Sequence, residues 1–265
     1  MIAADQPGLI TCILAITALV LLLAERLIAR RRLTDPLTKR WRTHLGFVVI
    51  NLPIERGVQA LMAILLYGGI SALGSGQFGL LPFLGLPVWV EWLLAVLLLD
   101  LAVWVQHVVL HHVPWLWRLH KVHHADRDFD MTTALRFHPL EIGLSMAYKM
   151  LVAFLLGVPL GALILFELLL SLFPLFNHAN ITLPKTLDRA LRWLVVTPDM
   201  HRIHHSTLPE ETHSNYGFCF ALWDRIFGTY IAEPRGGHKA MTIGLDEWQD
   251  DKPRRFGWSL KLPFR

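Results

Sequence analysis

The chain has 265 residues, of which 54% are hydrophobic and only 17% charged, and its mean hydropathy is +0.43. Soluble domains carry roughly 25% charged residues, so this balance indicates a protein largely embedded in lipid. The net charge of +4 comes mostly from one short basic run, which excludes a nucleic-acid-binding surface, and the two cysteines, Cys12 and Cys219, exclude a disulfide framework or a Cys-ligated iron–sulfur cluster.

A helix needs about 20 apolar residues to cross the hydrocarbon core. Residues 8–24 form such a run, extending to 28 if Glu25 and Arg26 lie at the interface. Its charges follow the apolar stretch and no small-residue cleavage site is present, so it is expected to be a retained span and not a signal peptide. Arg26, Arg30, Arg31, Arg32, Lys39, Arg40 and Arg42 come next. By the positive-inside rule this segment is cytoplasmic, and its arginines are expected to set topology and to meet anionic lipid. Residues 45–73 form a second span, with Pro53 near its start as a candidate kink. An uncharged Gly- and Pro-containing loop is expected over 75–87 on the far side, and a third span over 88–109. Residues 142–156 and 159–176 form a helical hairpin broken at Gly157-Val158-Pro159, which either spans or re-enters. From about 185 the chain is more polar and is expected to form a cap of short helices and loops. The fold class is therefore all-α: a bundle of about four spans with a cytoplasmic histidine-rich cap. Residues 1–95 are expected to hold the N-terminal spans, 96–235 the catalytic domain and 236–265 a tail.

Nine histidines fall in four clusters: His107 and His111; His120, His123 and His124; His178; and His201, His204 and His205. The pattern HxxHH occurs twice. Histidine is the commonest metal ligand, and residues three or four apart share one helix face, so each cluster can aim several imidazoles at one point. Nine exceed the needs of one tetrahedral ion, which suggests two. Hydropathy alone puts all four clusters on the same side of the membrane, where scattered core histidines would not gather. Imidazole ligands suit iron, zinc or copper. Against lipid the substrate is an unactivated C–H bond, whose attack needs an O2-derived oxidant, and this favours two iron ions with O2 as co-substrate, zinc being a possible occupant of the isolated protein.

HxxxH, HxxHH, a lone His before Ala179-Asn180, and a second HxxHH resemble the fatty acid hydroxylase / sterol desaturase superfamily. Asn215-Tyr216-Gly217, the segment from Trp223 to Tyr230, and that from Arg136 to Glu141 are also similar to its signatures. The resemblance covers roughly residues 100–230. It implies an integral-membrane, non-haem di-metal oxygenase that hydroxylates or desaturates fatty acyl chains, sterols or related lipids, with the nine histidines as ligands on the cytosolic face. Some members have a second histidine in the third cluster; here Pro174 and Thr182 stand at those positions, so water, a carboxylate or Asn180 is expected to complete one metal's shell. His213 stands where many relatives have an acid.

Asp100, an acid within a span, lies seven residues before His107 on the same helix face and is expected to accept a hydrogen bond from a ligand imidazole. His138, Asn180 and His213 are further candidates for supporting the ligands. His44 and His238 are expected at the interface or in solvent, Trp104, Trp115 and Trp117 to anchor the membrane interface, and the Trp223–Tyr230 segment to lock the cap by packing. No cytochrome or Cys-rich ferredoxin segment occurs, so electrons are expected from a separate ferredoxin- or cytochrome-type donor. The expected location is a multi-pass integral membrane protein, in the inner membrane if bacterial. Competing readings are a bis-histidine haem electron carrier, recognised by a Soret band, a zinc-dependent lipid hydrolase active without O2, and a non-catalytic metal-binding or transport protein.

Overall fold

The computed structural model describes residues 6–73 and 78–265. The described residues form helices, turns and three isolated bridge pairs. Five helices are long and apolar enough to cross a membrane: α1 (Gln6–Leu27), α2 (Leu37–Leu73), α4 (Val88–His112), α6 (Pro139–Leu156) and α7 (Leu160–Asn177). That is one more than the sequence suggested, because the 142–176 hairpin supplies two full helices. Each arm has 18 residues, about 27 Å at 1.5 Å per residue, close to the thickness of the hydrocarbon core. The expected loop over 75–87 contains a short helix, α3 (Leu80–Leu84); its portion at 75–77 lies outside the described residues. Helix α2 begins eight residues earlier than hydropathy indicated and continues through Pro53.

Local signals fix where the helices turn. Val113 precedes Pro114 and takes an extended conformation (φ −94°, ψ 114°), as a pre-proline residue must when the helical region is sterically disfavoured. Helix α4 therefore stops, and α5 (Pro114–His124) starts with proline at its first position. The chain folds back so that His107 and His111 face His120 and His124. At the opposite end, Gly157 closes α6 with φ +67°. A Cβ there would lie 2.4 Å from the Phe78 carbonyl oxygen, so only glycine fits the turn.

Helices α4, α6 and α7 pack around Leu99, Val103, Ala153, Ala162 and Phe166. Most of α1 and α2 is exposed on the outside of the bundle, with Leu19, Val49 and Ile64 bare, as suits surfaces that face lipid. The cap consists of α8 (Lys185–Leu191), α9 (Pro198–His204), α10 (Pro209–Thr212), α11 (Leu222–Ile226), α12 (Gly237–Ala240) and α13 (Phe256–Lys261).

Arg30, Arg31 and Arg40 of the basic segment turn inward, while Arg26, Arg32, Lys39 and Arg42 stay exposed. Arg40 is 1% exposed and its guanidinium pairs with Asp126 and Asp130. Arg30 pairs with Asp199 at 2.9 Å, and Arg31 donates to the Met241 carbonyl at 2.6 Å. His44 and His238 are likewise buried rather than solvated. His44 Nδ1 lies 2.8 Å from Thr132 Oγ1. Burial alone would raise the Asp126 carboxyl, but the Arg40 charge and His44 outweigh it and hold it well below the usual carboxylate range. The Arg30 and Arg31 contacts strap the α1–α2 hairpin to the cap, and those of Arg40 and His44 strap it to the segment between α5 and α6.

Candidate metal centre

All nine predicted histidines converge, each at most 4% exposed. They form two adjoining groups, His107, His111, His120, His124 and His204 in one, and His123, His178, His201 and His205 in the other. Within each group one ring nitrogen per residue lies within 4.8 Å of the others. Each HxxHH motif straddles both groups. In the first, the i and i+4 residues His120 and His124 enter the five-histidine group while His123 points to the other. The second does the reverse, with His201 and His205 in the four-histidine group and His204 crossing over. This follows from the 100° helical step, which sends i and i+4 to one face and i+3 slightly aside. The rings of His124 and His205 stack at 4.5 Å where the groups meet.

Four imidazoles are oriented through Nδ1. His107 donates to the Tyr216 carbonyl at 2.7 Å and His204 to the Ser214 carbonyl at 2.7 Å. His178 donates to the Pro174 carbonyl at 2.8 Å, and His120 lies 2.6 Å from the Glu141 carboxylate. A carbonyl only accepts, so Nδ1 carries the proton and Nε2 keeps its lone pair. Yet the Nε2 atoms of His107 and His204 stand 3.1 Å apart, and those of His107 and His120 3.0 Å apart. In the second group His178 Nε2 lies 3.2 Å from His123 and 3.1 Å from His201. Lone pairs facing one another at this distance repel unless a cation sits between them. Metal–nitrogen bonds of about 2.1 Å place neighbouring ligand nitrogens about 3.0–3.4 Å apart, for right-angled to tetrahedral arrangements. Both ring nitrogens of His111, His124 and His205 are buried without a hydrogen-bond partner, which is costly in an interior unless they bind something else. The donor set thus fits two cations.

Burial, reinforced by repulsion among neighbouring imidazoliums, holds His123, His124, His201, His204 and His205 well below the ordinary histidine value. Burial also lowers His178 to about 4. These imidazoles are therefore neutral at physiological pH, the form that ligates metal.

The supporting residues differ from those expected. Asp100 touches no imidazole. Its carboxylate accepts from the backbone N–H groups of Cys219 and Phe220, at 3.2 and 3.3 Å, and from the Trp223 indole at 2.8 Å. It thereby fastens the 214–224 strap against α4, and this strap carries the Ser214 and Tyr216 carbonyls. Asp224 fastens the same strap, accepting from the N–H groups of Tyr216 and Gly217, both at 2.8 Å, and from the Trp104 indole at 3.0 Å. Between those carbonyls Asn215 adopts φ +50°, a left-handed conformation that asparagine tolerates. Its side chain bonds the Met200 and Ile231 carbonyls.

Asn180 spends its amide on the Arg31 backbone, accepting at 3.1 Å and donating at 2.8 Å, and does not complete a metal shell. His138 caps α6 and faces the Leu260 carbonyl. His213 stacks on His112 at 5.2 Å and meets His111 edge-on at 5.5 Å, so it borders the five-histidine group from outside. Trp104 and Trp117 are not interface anchors: Trp104 is buried on Asp224, and Trp117 packs on His111 at 4.8 Å. Trp115 alone of the three is openly exposed, at 60%. The carboxylate partner that sequence reasoning missed is Glu141, 2% exposed in the first turn of α6. An acid at the mouth of an apolar span was the available signal.

A half-open cavity of about 600 Å³ adjoins the histidines, lined by α1, α2, α4, α6 and α7 and reaching His107 and His120. Its walls are mostly apolar, including Leu14, Leu52, Val103, Met146, Leu170 and Phe218.

An apolar cavity that reaches one of two adjoining groups of buried imidazoles, in a chain with five helices able to cross a membrane, is the arrangement of a membrane protein with a candidate metal centre. Residues 92–229, just over half of the chain, match the fatty acid hydroxylase family, and the chain belongs to it. Among curated relatives, alkylglycerol monooxygenase of Xenopus tropicalis is 30% identical over 189 residues, 62% of this chain and 41% of that protein. Ornithine lipid hydroxylase OlsE of Rhizobium tropici is 27% identical over 149 residues, 56% of this chain and 44% of the relative. Human cholesterol 25-hydroxylase is 28% identical over 142 residues, 52% and 50% of the two chains. The matches thus span half or less of these relatives. No solved structure matches the chain.

Proposed function

We propose that the chain is an O2-dependent lipid hydroxylase whose nine histidines hold two iron ions, and that residues 96–235 form its catalytic unit. The observation that carries this reading is the lone-pair-to-lone-pair packing of His107 with His120 and His204, where His107 and His120 line an apolar cavity. The relatives named above, each a hydroxylase or monooxygenase, support hydroxylation over desaturation. Two iron ions held by the two histidine groups would supply the redox chemistry toward O2 that imidazoles alone cannot. One oxygen atom enters a C–H bond of a fatty acyl, sterol or related lipid and the other leaves as water. Two electrons and two protons come from a separate ferredoxin- or cytochrome-type donor.

The protein's own residues have three tasks. The apolar walls bind the hydrocarbon and exclude water. Glu141 and the Tyr216, Ser214 and Pro174 carbonyls fix the imidazole tautomers. The strap held by Asp100 and Asp224 keeps those carbonyls in place. No general base is required. The exposed Arg26, Arg32, Lys39 and Arg42 beside the cap support a cytoplasmic centre by the positive-inside rule, in the inner membrane if the source is bacterial. A haem between two of these histidines would have to part rings that pack 4.4–5.5 Å apart throughout the cluster, and zinc-dependent hydrolysis would need no O2.

The test is metal analysis and lipid mass spectrometry of membranes containing the wild type or His120→Ala under 18O2. One labelled oxygen in a lipid, lost in the variant, is expected. An unchanged lipid profile despite full iron loading, or a product formed without O2, would overturn the reading.

A further inference from the structure

Helix α6 carries a polar ladder into the cavity, with Glu141, Ser145 and Lys149 at successive four-residue steps on one face. The first two rungs are already engaged, Glu141 by His120 and Ser145 by Gln106 at 2.6 Å. The third differs. Lys149 Nζ lies 2.8 Å from both carboxylate oxygens of Glu167 on α7. Both side chains line the cavity, and the lysine side chain is only 9% exposed. An ion pair about midway along two apolar spans is expensive and marks a function more often than a structural need.

We propose that Lys149 and Glu167 form a subsite for an uncharged hydroxyl group of the lipid substrate, an inference that rests on the oxygenase reading above. The ammonium has three N–H donors, and it makes one hydrogen bond to Glu167, at 2.8 Å. Donors remain on the ammonium, and the carboxylate keeps unused lone pairs; no other partner occurs among the described residues. A hydroxyl accepts once and donates once, so it satisfies both partners without breaking the pair. A carboxylate or phosphate would have to displace Glu167 while also facing Glu55 on the α2 wall. An ammonium would have to displace Lys149. Eight residues separate Lys149 from Glu141, about 12 Å along the helix axis. The carbon presented to His107 and His120 is thus about that distance from the anchored hydroxyl. The substrate class is a neutral, hydroxyl-bearing lipid oxidised at a position set from its hydroxyl end.

The test has a binding arm and a turnover arm. Tritiated 1-hexadecanol, hexadecane and palmitate are titrated onto the full chain in phosphatidylcholine nanodiscs, as wild type and as the Lys149→Met/Glu167→Met double variant. Replacing both partners removes the pair without leaving one charge unpaired, and thermal melting verifies the fold. The wild type should prefer the alcohol to both other probes by about tenfold or more, as loss of hydrogen bonds to charged groups implies, and the double variant should lose that preference. No preference in the wild type, preference for palmitate, or preference kept in the folded double variant overturns the subsite. In turnover of 1-tetradecanol, 1-hexadecanol and 1-octadecanol, the new oxygen should stay at a fixed count from the hydroxyl. A fixed count from the methyl end overturns the proposal. An alcohol preference that needs the pair, with no oxygenated product from any probe, upholds the subsite and counts against the oxygenase reading alone.

Discussion

Replacing Glu141 by Ala should weaken metal binding in the five-histidine group while sparing the other. Its carboxylate lies 2.6 Å from His120 Nδ1, and both groups are almost wholly buried. The variant leaves that N–H without an acceptor, at a cost of about 1–3 kcal/mol for a buried donor. Loss of a carboxylate that orients a ligating histidine typically lowers metal affinity about 10- to 100-fold, which is about 1.4–2.8 kcal/mol. The two routes agree. Glu141→Gln, which keeps an acceptor but loses its charge, should fall near the lower bound. Competition with a chelator, read by metal mass spectrometry, measures both ions in one titration. One ion should leave about 10- to 100-fold more readily and the other should be unchanged, because no second-group histidine touches Glu141. Wild-type retention of both ions would refute the orienting role. Equal loss of both would show that the two groups behave as one site.

Arg40→Met should destabilise the chain by about 3–5 kcal/mol, since it strands the buried carboxylates of Asp126 and Asp130; thermal melting in detergent would show it, and an unchanged midpoint would count against the strap. Gly157→Ala should lower the melting temperature, because the new Cβ meets the Phe78 carbonyl at 2.4 Å and φ is +67°. Acid should destabilise the fold through His238, which burial lowers to about 4. Its folded value lies below the ordinary 6.5, so the stabilisation is complete above 6.5 and lost as pH falls through about 4. Melting temperatures between pH 7.5 and 4.5 should fall less in His238→Gln than in the wild type. Asp224→Ala should loosen the strap and reduce metal retention in the group containing His107 and His204, read by the same chelator titration.

The histidines were legible because ligation imposes short-range spacing, and short-range spacing survives in a sequence. The spans were legible because lipid imposes length and composition. What escaped was whatever depended on the distant end of a contact. Asp100 was recognised as costly in a span, yet its partners lie over 100 positions away, and nothing local shows that they are backbone amides rather than an imidazole. The arginines from the end of α1 to the first turns of α2 had the charge of a cytoplasmic loop, but Asp126, Asp130 and Asp199, which draw Arg40 and Arg30 inward, belong to other segments. Glu141 lay one residue before the apolar run over 142–156, so it read as a boundary and not as the base of the cavity.

The cavity has two kinds of wall. Helices α4, α6 and α7 lie within the family-matched region, which holds every histidine of both groups. The α1–α2 hairpin lies outside it but contributes Leu14, Ala18, Val48, Asn51, Leu52 and Glu55; it packs along α6 and α7 and is pinned by the ion pairs of Arg30 and Arg40. The histidine groups and the outer wall of the cavity thus come from different stretches of the chain. Exchanging the hairpin between relatives would re-cut the shape of the chamber without moving a single histidine of either group.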